Sequence, residues 1–310
     1  MTAQIIDGDG VANAVKATLE KEIQAIKDAD APLQLVAVQV GENAASRVYV
    51  KNQKESCEAM GISYRLDELG GDTTQEAVLA HIEKLNGDGE VTGIILQMPL
   101  PPQCNAREVQ AAIAPEKDVE GMNPANLGRV ILGEPWLAPC TAMGAFKLIQ
   151  STGIEFYRKN DRGGPAPGSG KRVVVVGHSE IVGKPLSLLL VHQFCTVTTC
   201  HIATKDLGSH TREAEILAVA CGVPGLIKKD MVRPGAMVID IGINRVSVLD
   251  DKGQPVLDQK GKPKKKTVGD VDFDAVKEVA GWITPVPGGV GPMTVAMLLA
   301  NTVTAAKALR

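Results

Sequence analysis

At 310 residues, 44% of them apolar, the chain is long enough for two hydrophobic cores and ordinary in composition for a globular protein. A net charge of −3 and only 3% aromatic residues exclude base stacking and an electrostatic nucleic-acid or membrane surface. No apolar run reaches the ~18 residues of a membrane span, and Met1 to Asp7 lacks the basic and apolar regions of a secretory leader, so a cytoplasmic protein is expected.

In chain order, Val11 to Lys27 carries Val11, Val15, Leu19, Ile23 and Ile26 on one stripe and predicts an amphipathic helix. Leu33 to Val40 (LQLVAVQV) predicts a buried strand. Ser46 to Lys54 predicts the first turns of a helix that ends at Gly61. Tyr49 and Gln53, four apart, share a face of it. Tyrosine with lysine at that spacing would handle protons. With glutamine the pair binds and polarises, because glutamine has no proton to exchange near neutral pH. Lys54 points about 100° further round.

A short strand near Ile62–Leu66, a helix over Thr74–Leu85 and a buried strand over Val91–Gln97 follow. Gln97 stands where a parallel strand ends, the place where open α/β sheets bind ligands. Satisfying loop backbone is its other reading. In Lys117-Asp118-Val119-Glu120-Gly121, Asp118 either pairs with an amino-pyrimidine-like ring or caps a turn, and the local pattern favours the cap. Six cysteines show no Cys-x-x-Cys and no histidines at zinc spacing, so reduced thiols and no metal site are expected.

Thr141–Gln150 predicts a helix, and the polar Gly/Pro-rich stretch 157–170 an exposed loop, so a second domain is expected from 151. It opens on the strand Lys171–Val176 and the turn Gly177-His178-Ser179-Glu180-Ile181-Val182-Gly183, followed by a helix. Strand, glycine turn and helix in that order suit a pyrophosphate, which meets backbone N–H groups and the positive helix end. The spacing is Gly-x-Ser-x-x-x-Gly, not Gly-x-Gly-x-x-Gly, so a structural turn without a ligand stays open.

About 20 residues on, where a carboxylate usually takes the ribose, the chain reads Thr198-Thr199-Cys200-His201-Ile202-Ala203-Thr204-Lys205. His178 and Lys205 are candidate basic groups for a 2′-phosphate. Thr196–Cys200, Glu215–Ala220 and Ala236–Ile241 are further short apolar runs, and Val248–Thr267 a solvated hairpin with a lysine-rich turn. Thr284–Thr294, with prolines at 285, 287 and 292 and glycines at 288, 289 and 291, is a rigid loop feeding an amphipathic helix over Thr294–Leu309. Alternating strands and helices imply an α/β fold with largely parallel sheets.

Taken together, these motifs make the chain resemble the methylenetetrahydrofolate dehydrogenase/methenyltetrahydrofolate cyclohydrolase family, the bifunctional FolD proteins. The resemblance rests on Ala45-Ser46-Arg47-Val48-Tyr49-Val50, Gln97-Met98-Pro99-Leu100-Pro101, the segment Lys117 to Pro124, and Pro139-Cys140-Thr141. It rests further on Gly177 to Pro185, Val238 to Asn244, and Pro285-Val286-Pro287-Gly288-Gly289-Val290-Gly291-Pro292-Met293-Thr294. It implies an N-terminal α/β folate-binding domain over 1–150 and a Rossmann-like NAD(P)-binding domain over 151–291. A C-terminal helix, 292–310, returns to the first domain. It also implies tetrahydrofolate derivatives bound between the domains, NADP as cofactor with NAD as the alternative, and a homodimer.

By matching position, the resemblance makes Tyr49, Gln53, Gln97 and Asp118 the catalytic group. Tyr49 stacks on the pterin, Gln97 joins the polar side of the site, and Asp118 binds the pterin's amino edge. The loop with Pro285, Gly288, Gly289 and Val290 closes over the folate. Gly177, His178, Ser179, Ile202 and Ile243 line the cofactor. Two departures stand out. Gln53 replaces the family's lysine. His178 and Ile202 replace the arginine and serine with which NADP-using relatives commonly hold the 2′-phosphate, which leaves the choice between NADP and NAD open.

The implied function is NAD(P)-dependent oxidation of 5,10-methylenetetrahydrofolate to 5,10-methenyltetrahydrofolate. That step needs alignment and no general base. Hydrolysis to 10-formyltetrahydrofolate needs a proton carrier, so with Gln53 it is expected to be weak or absent. A fully bifunctional enzyme, with Lys54 or water carrying the proton, is one alternative. A non-catalytic folate-binding homologue is another, against which the intact glycine loops argue.

Overall fold

The computed structural model describes residues 2–41, 46–156, 170–250, 254–257 and 261–309, except the side chains of Ser46 and Val48. The Gly/Pro-rich loop expected over 157–170 thus lies, but for Gly170, outside the described residues. The first elements are β1 (Gln4–Ile5), α1 (Gly8–Asp28), β2 (Gln34–Val40), α2 (Ser46–Met60) and β3 (Ser63–Leu69). Then come α3 (Gln75–Gly87), β4 (Gly93–Leu96), α4 (Ala106–Ala112), α5 (Pro124–Leu132) and α6 (Cys140–Ser151). The later part holds β5 (Arg172–Val176), α7 (Gly183–Val191), β6 (Thr196–Cys200), α8 (Leu207–Thr211), β7 (Ile216–Val219) and β8 (Met237–Asp240). It ends with β9 (Asn244–Ser247), β10 (Lys265–Val268), α9 (Phe273–Val276), β11 (Trp282–Ile283) and α10 (Val290–Ala308).

Two compact units result. One comprises residues 12–143 and 294–310, the other 1–11 and 144–293. In the first, β2 lies between β3 and β4 in an all-parallel sheet. Leu35 to Val38 are wholly buried, as a strand covered on both faces requires. Val36, Val38, Val78, Ile82, Ile94 and Leu96 belong to its core. The C-terminal part of α10 belongs to this unit. There Asn301 Nδ2 donates to the carbonyls of Val119 at 2.9 Å and Ala138 at 3.0 Å.

In the second unit six parallel strands run in the order β1-β11-β8-β7-β5-β6. The chain leaves β5 for β6 on one side and for β7 on the other. The carboxyl end of β5 is therefore the point where strand order reverses, and the glycine turn sits there. β9 and β10 form the expected hairpin, which begins at Asn244, earlier than the lysine-rich segment indicated. Its residues 251–253 and 258–260 lie outside the described residues.

Three features differ from the sequence reading. Residues 1–11 and 144–150 go with the dinucleotide-type unit and not with a domain over 1–150. β1 is the reason, because it pairs with β11, while Ala3 N and Ile6 N donate to Lys277 O and Ile283 O. α4 and α5 were not expected, although Asn105 and Asn123 cap them through the N–H groups of Arg107 and Ala125. β3 runs on to Leu69 because its polar half, Asp67 and Glu68, still pairs with Val38 and Gln39.

Candidate active site

Gln53 sits on the inner face of α2 with no exposed surface. Its Oε1 accepts twice, from Gln97 Nε2 at 2.9 Å and from the Tyr64 hydroxyl at 3.3 Å. Its Nε2 is buried and makes no hydrogen bond of good geometry, even to the neighbouring Tyr49 phenol. Tyr49, one turn earlier, has its phenol held well above the usual range by burial, then by Cys140 and Glu120. Tyr64 is raised by burial, then by Cys57. Gln97, buried just beyond β4, donates its backbone N–H to Val38 O at 2.8 Å. It thus lies at the carboxyl end of β4, beside the central strand β2, where such sheets bind ligands.

Neither nearby lysine takes the place of residue 53. The Lys54 side chain is 57% exposed and reaches Glu58 at 3.8 Å, and Lys51 is 72% exposed and reaches Glu55 at 3.6 Å. The Lys54 alternative therefore has no support in the geometry.

Asp118 is spent on its own loop. Its carboxylate accepts from Gly121 N at 3.1 Å, Asn123 N at 2.6 Å and Asn126 Nδ2 at 2.9 Å. Burial pushes its pKa up, against these bonds, which pull it down. These bonds are the ones the turn-capping reading of Asp118 describes. Lys117 is structural too, its Nζ donating to Leu85 O and Asp88 O at the end of α3.

The carboxylate beside Tyr49 is Glu120, which sequence reasoning passed over. Burial, then Asp118, pushes it up to about 8. Cys140 is buried next to it, its thiol donating to Val119 O at 3.3 Å and raised by burial, then by Glu120. Asp118 bridges Ile94, and the chain then turns at once, with Gly121 N donating to Asp118 O, so no periodicity in the sequence marks Glu120.

In the second unit Gly177 adopts φ +119°, and a Cβ there would lie 2.1 Å from Ala220 O. A Cβ on Gly183 would lie 2.0 Å from Gly177 O. The turn is thus closed so tightly that only glycine fits at both ends. Ser179 Oγ accepts from Val182 N at 3.2 Å, and no side chain caps α7 at Val182. A bare glycine turn opening a helix at the reversal of strand order fits a dinucleotide pyrophosphate.

His178, Ile202 and Ile243 stand exposed on the loops after β5, β6 and β8. Asp240, at the end of β8, accepts from Gly242 N in the loop that follows it and from Asp270 N and Val271 N in the segment after β10. Asp270 in turn accepts from Cys221 N, Gly222 N and Asn244 Nδ2. Burial pushes Asp240 up to about 6.

The loop Pro285 to Val290 also belongs to this unit. Gly288, at φ +97°, receives the Gly8 N–H on its carbonyl at 3.0 Å. So Tyr49, Gln53, Gln97 and Asp118 share the first unit, and Pro285, Gly288, Gly289 and Val290 share the second with Gly177, His178, Ser179, Ile202 and Ile243. Among the described residues no cluster of histidine, cysteine and carboxylate side chains is placed to hold a metal, and no helix is long and apolar enough to cross a membrane.

Comparison with known proteins places this geometry. Residues 6–120 match the tetrahydrofolate dehydrogenase/cyclohydrolase catalytic domain, and residues 139–310 the NAD(P)-binding domain of the same family. The chain is 44% identical over 307 residues to the bifunctional protein FolD of Moorella thermoacetica, covering 99% of this chain and 100% of that one. It is similar to the crystal structure of the bifunctional FolD enzyme from Campylobacter jejuni, with TM-score 0.87, 38% identity and 99% of each chain covered. The FolD structure from Trypanosoma brucei, complexed with NADP cofactor and inhibitor, gives TM-score 0.87 and 35% identity over 99% of this chain and 98% of that one.

Proposed function

Because the chain belongs to the tetrahydrofolate dehydrogenase/cyclohydrolase family, we propose that it oxidises 5,10-methylenetetrahydrofolate to 5,10-methenyltetrahydrofolate with NAD(P)+. The nicotinamide, when bound, supplies the hydride acceptor. The chain's own residues hold the pterin: Tyr49 by its ring, Gln97 and Gln53 by their amides, and Glu120 by its carboxyl group. The unpartnered Nε2 of Gln53 is a donor awaiting an acceptor on the substrate. A neutral amide also avoids setting a cation beside a product that is itself a cation.

The relatives' names speak for a second activity as well, hydrolysis of the methenyl compound to 10-formyltetrahydrofolate, and they favour two activities over one. One observation bears on the rate of that step. The buried residue 53 is an amide without a titratable proton, and Lys51 and Lys54 are turned to solvent. On this ground the second step is slow. The fully bifunctional reading has its own support in Glu120, whose pKa of about 8 lets it exchange a proton near neutral pH beside Tyr49.

Supplying methylenetetrahydrofolate and oxidised cofactor, and following methenyl and formyl products separately, decides between them. Accumulated methenyl compound, hydrolysed no faster than in buffer, marks the divided enzyme. Prompt formyl product that disappears in Glu120→Gln marks the bifunctional one. Folate binding with no cofactor reduction would leave only a binding protein. Assembly as a homodimer belongs to the same proposal, checked by sedimentation velocity, and six free cysteines suit a reducing, cytoplasmic setting.

A further inference from the structure

A dinucleotide lies across the point where strand order reverses, with its adenine half on the side of the second strand of such a unit. β6 is that strand, so the other half falls on the side of β7 and β8. The loops that follow those two strands are residues 220–227 and 241–243. The first of them abuts the glycine turn. Ala220 N donates to Val176 O at 2.7 Å, and Ala220 O stands where a Cβ on Gly177 would be. Both loops are held by one residue far along the chain, Asp270, which lies in none of the motifs that carry the family resemblance.

Asp270 is wholly buried in the segment between β10 and α9. Its Oδ2 accepts from Cys221 N at 2.7 Å and Gly222 N at 2.9 Å, and its Oδ1 from Asn244 Nδ2 at 2.8 Å. Two successive N–H groups, the second on a glycine at φ +70°, make a concavity that suits an anion. Here the protein's own carboxylate fills it. The backbone beside it adds Gly225 N to Gly269 O at 3.2 Å and Ile227 N to Asp270 O at 3.1 Å. Toward β8, Asp270 N donates to Asp240 Oδ1 at 2.9 Å, and the same oxygen accepts from Gly242 N at 3.1 Å. Each carboxyl group has a glycine that makes room for it. A Cβ on Gly242 would overlap that of Asp270, and a Cβ on Gly269 that of Asp240. Ile243 is thus fixed on both sides, through Gly242 and Asn244.

Resting on the reading of this unit as NAD(P)-binding, we propose that Asp270 is a positioning residue for the nicotinamide half of the cofactor, acting through the loops after β7 and β8. Both of its carboxyl oxygens are engaged by the protein, so its effect reaches a ligand only through those loops. Hydride transfer depends on alignment, and a loop with glycines at positive φ at 222 and 225 has many shapes to choose from once its anchor is gone. What the role needs is an acceptor. Asparagine at 270 offers one oxygen to the two N–H groups and, if the Asn244 amide turns over, an N–H to its oxygen. Alanine offers neither. The glycine turn after β5 has its own closure, Gly177 N to Cys200 O at 2.9 Å and Lys184 N to Ser179 O at 3.0 Å. The adenine half and the pyrophosphate are therefore indifferent to Asp270.

Titration calorimetry on the full-length protein with NAD+, NADP+ and ADP, beside urea unfolding, tests this. Asp270→Ala should raise the Kd for NAD+ and NADP+ alike by at least about tenfold, while the Kd for ADP moves less than about threefold. Asp270→Asn should recover most of that affinity. Asn244→Asp sets a second carboxylate against the first and should weaken both dinucleotides at about pH 8. Adding Asp270→Asn to the same chain should restore them, because amide and carboxylate have then exchanged places. This exchange reads the same contact without emptying it, so it decides the matter even where Asp270→Ala does not fold. Parental dinucleotide affinity in a folded Asp270→Ala protein, an equal loss of ADP, or an Asn244→Asp defect that Asp270→Asn does not relieve would each overturn the positioning role while leaving the NAD(P) reading in place. A parent protein that binds neither dinucleotide would remove that reading, and the proposal with it.

Discussion

Gln97 Nε2 donates to Gln53 Oε1 at 2.9 Å, and this bond ties the end of β4 to the middle of α2. Tyr64 from β3 donates to the same oxygen. The glutamine is therefore built into the site as an acceptor for two neighbours. Lysine has donors only, so a lysine at 53 could hold neither bond. Gln97 would have to turn its amide oxygen inward, and Tyr64 would lose its acceptor.

Gln53→Lys should raise hydrolysis of the methenyl compound by about 10²-fold or more, the usual reach of a general acid or base, if the rest of the site is intact. Gln53→Leu should remove the acceptor from both neighbours and lower stability by about 1–3 kcal/mol. Methenyl decay and urea unfolding read these two effects. A well-folded Gln53→Lys variant that hydrolyses no faster than the parent would dismiss residue 53 as the reason for a slow second step.

Asp118 and Glu120, two residues apart, should respond in opposite ways. Asp118→Ala leaves Gly121 N, Asn123 N and Asn126 Nδ2 without their acceptor, so a loss of about 2–4 kcal/mol in unfolding free energy is expected. Glu120→Gln should leave the fold in place and change folate turnover by at least about tenfold, as expected of a perturbed carboxyl group at a site. A parental urea midpoint for Asp118→Ala would show that its bonds are not holding the loop.

The pH dependence of stability follows from the same carboxyl groups. Glu120 and Asp240 have folded-state values of about 8 and about 6, both above their ordinary range. In the window between the two states the folded protein holds protons that the unfolded chain has released. Their contribution is complete below about pH 4 and is lost as pH rises toward about 8. Glu120 is partly exposed, which screens it, so its share is about 1–2 kcal/mol. Urea midpoints should fall between about pH 5 and 8, and Glu120→Gln should flatten the upper half of that fall. A midpoint that climbs over the same interval contradicts the assignment.

The buried parallel strands were legible because they are covered on both faces. Continuous runs such as LQLVAVQV and Arg172–Val176 have no other comfortable place. β1 was not legible, since two exposed residues carry no pattern and only pairing with β11 makes them a strand. The glycine turn was legible as a motif, but His178 and His201 meet only through the parallel pairing of β5 with β6. Asp118 was visible as a residue and ambiguous as a role, because a carboxylate that caps its own loop and one that binds a ligand look alike until the donors around it are placed. Gln53 was visible at once from helix spacing. Its bonds to β3 and β4 were not, because they depend on how α2 lies over the sheet.

Two glycine substitutions separate a built turn from a spare glycine. Gly183→Ala would put a Cβ 2.0 Å from Gly177 O and 3.0 Å from His178 Cα, both backbone atoms that can move only if the turn opens. Gly128, inside α5, has nothing within 4 Å of the same position. Gly128→Ala should therefore stabilise the protein by about 0.5–1 kcal/mol, the helix propensity gained. Gly183→Ala should lower stability by about 2–4 kcal/mol and weaken NADP+ and NAD+ alike, at every pH, by at least about tenfold, since it reshapes the backbone that both pyrophosphates share. Calorimetric binding with thermal unfolding measures both effects. A Gly183→Ala protein that binds the two dinucleotides as the parent does would remove this turn from the cofactor site.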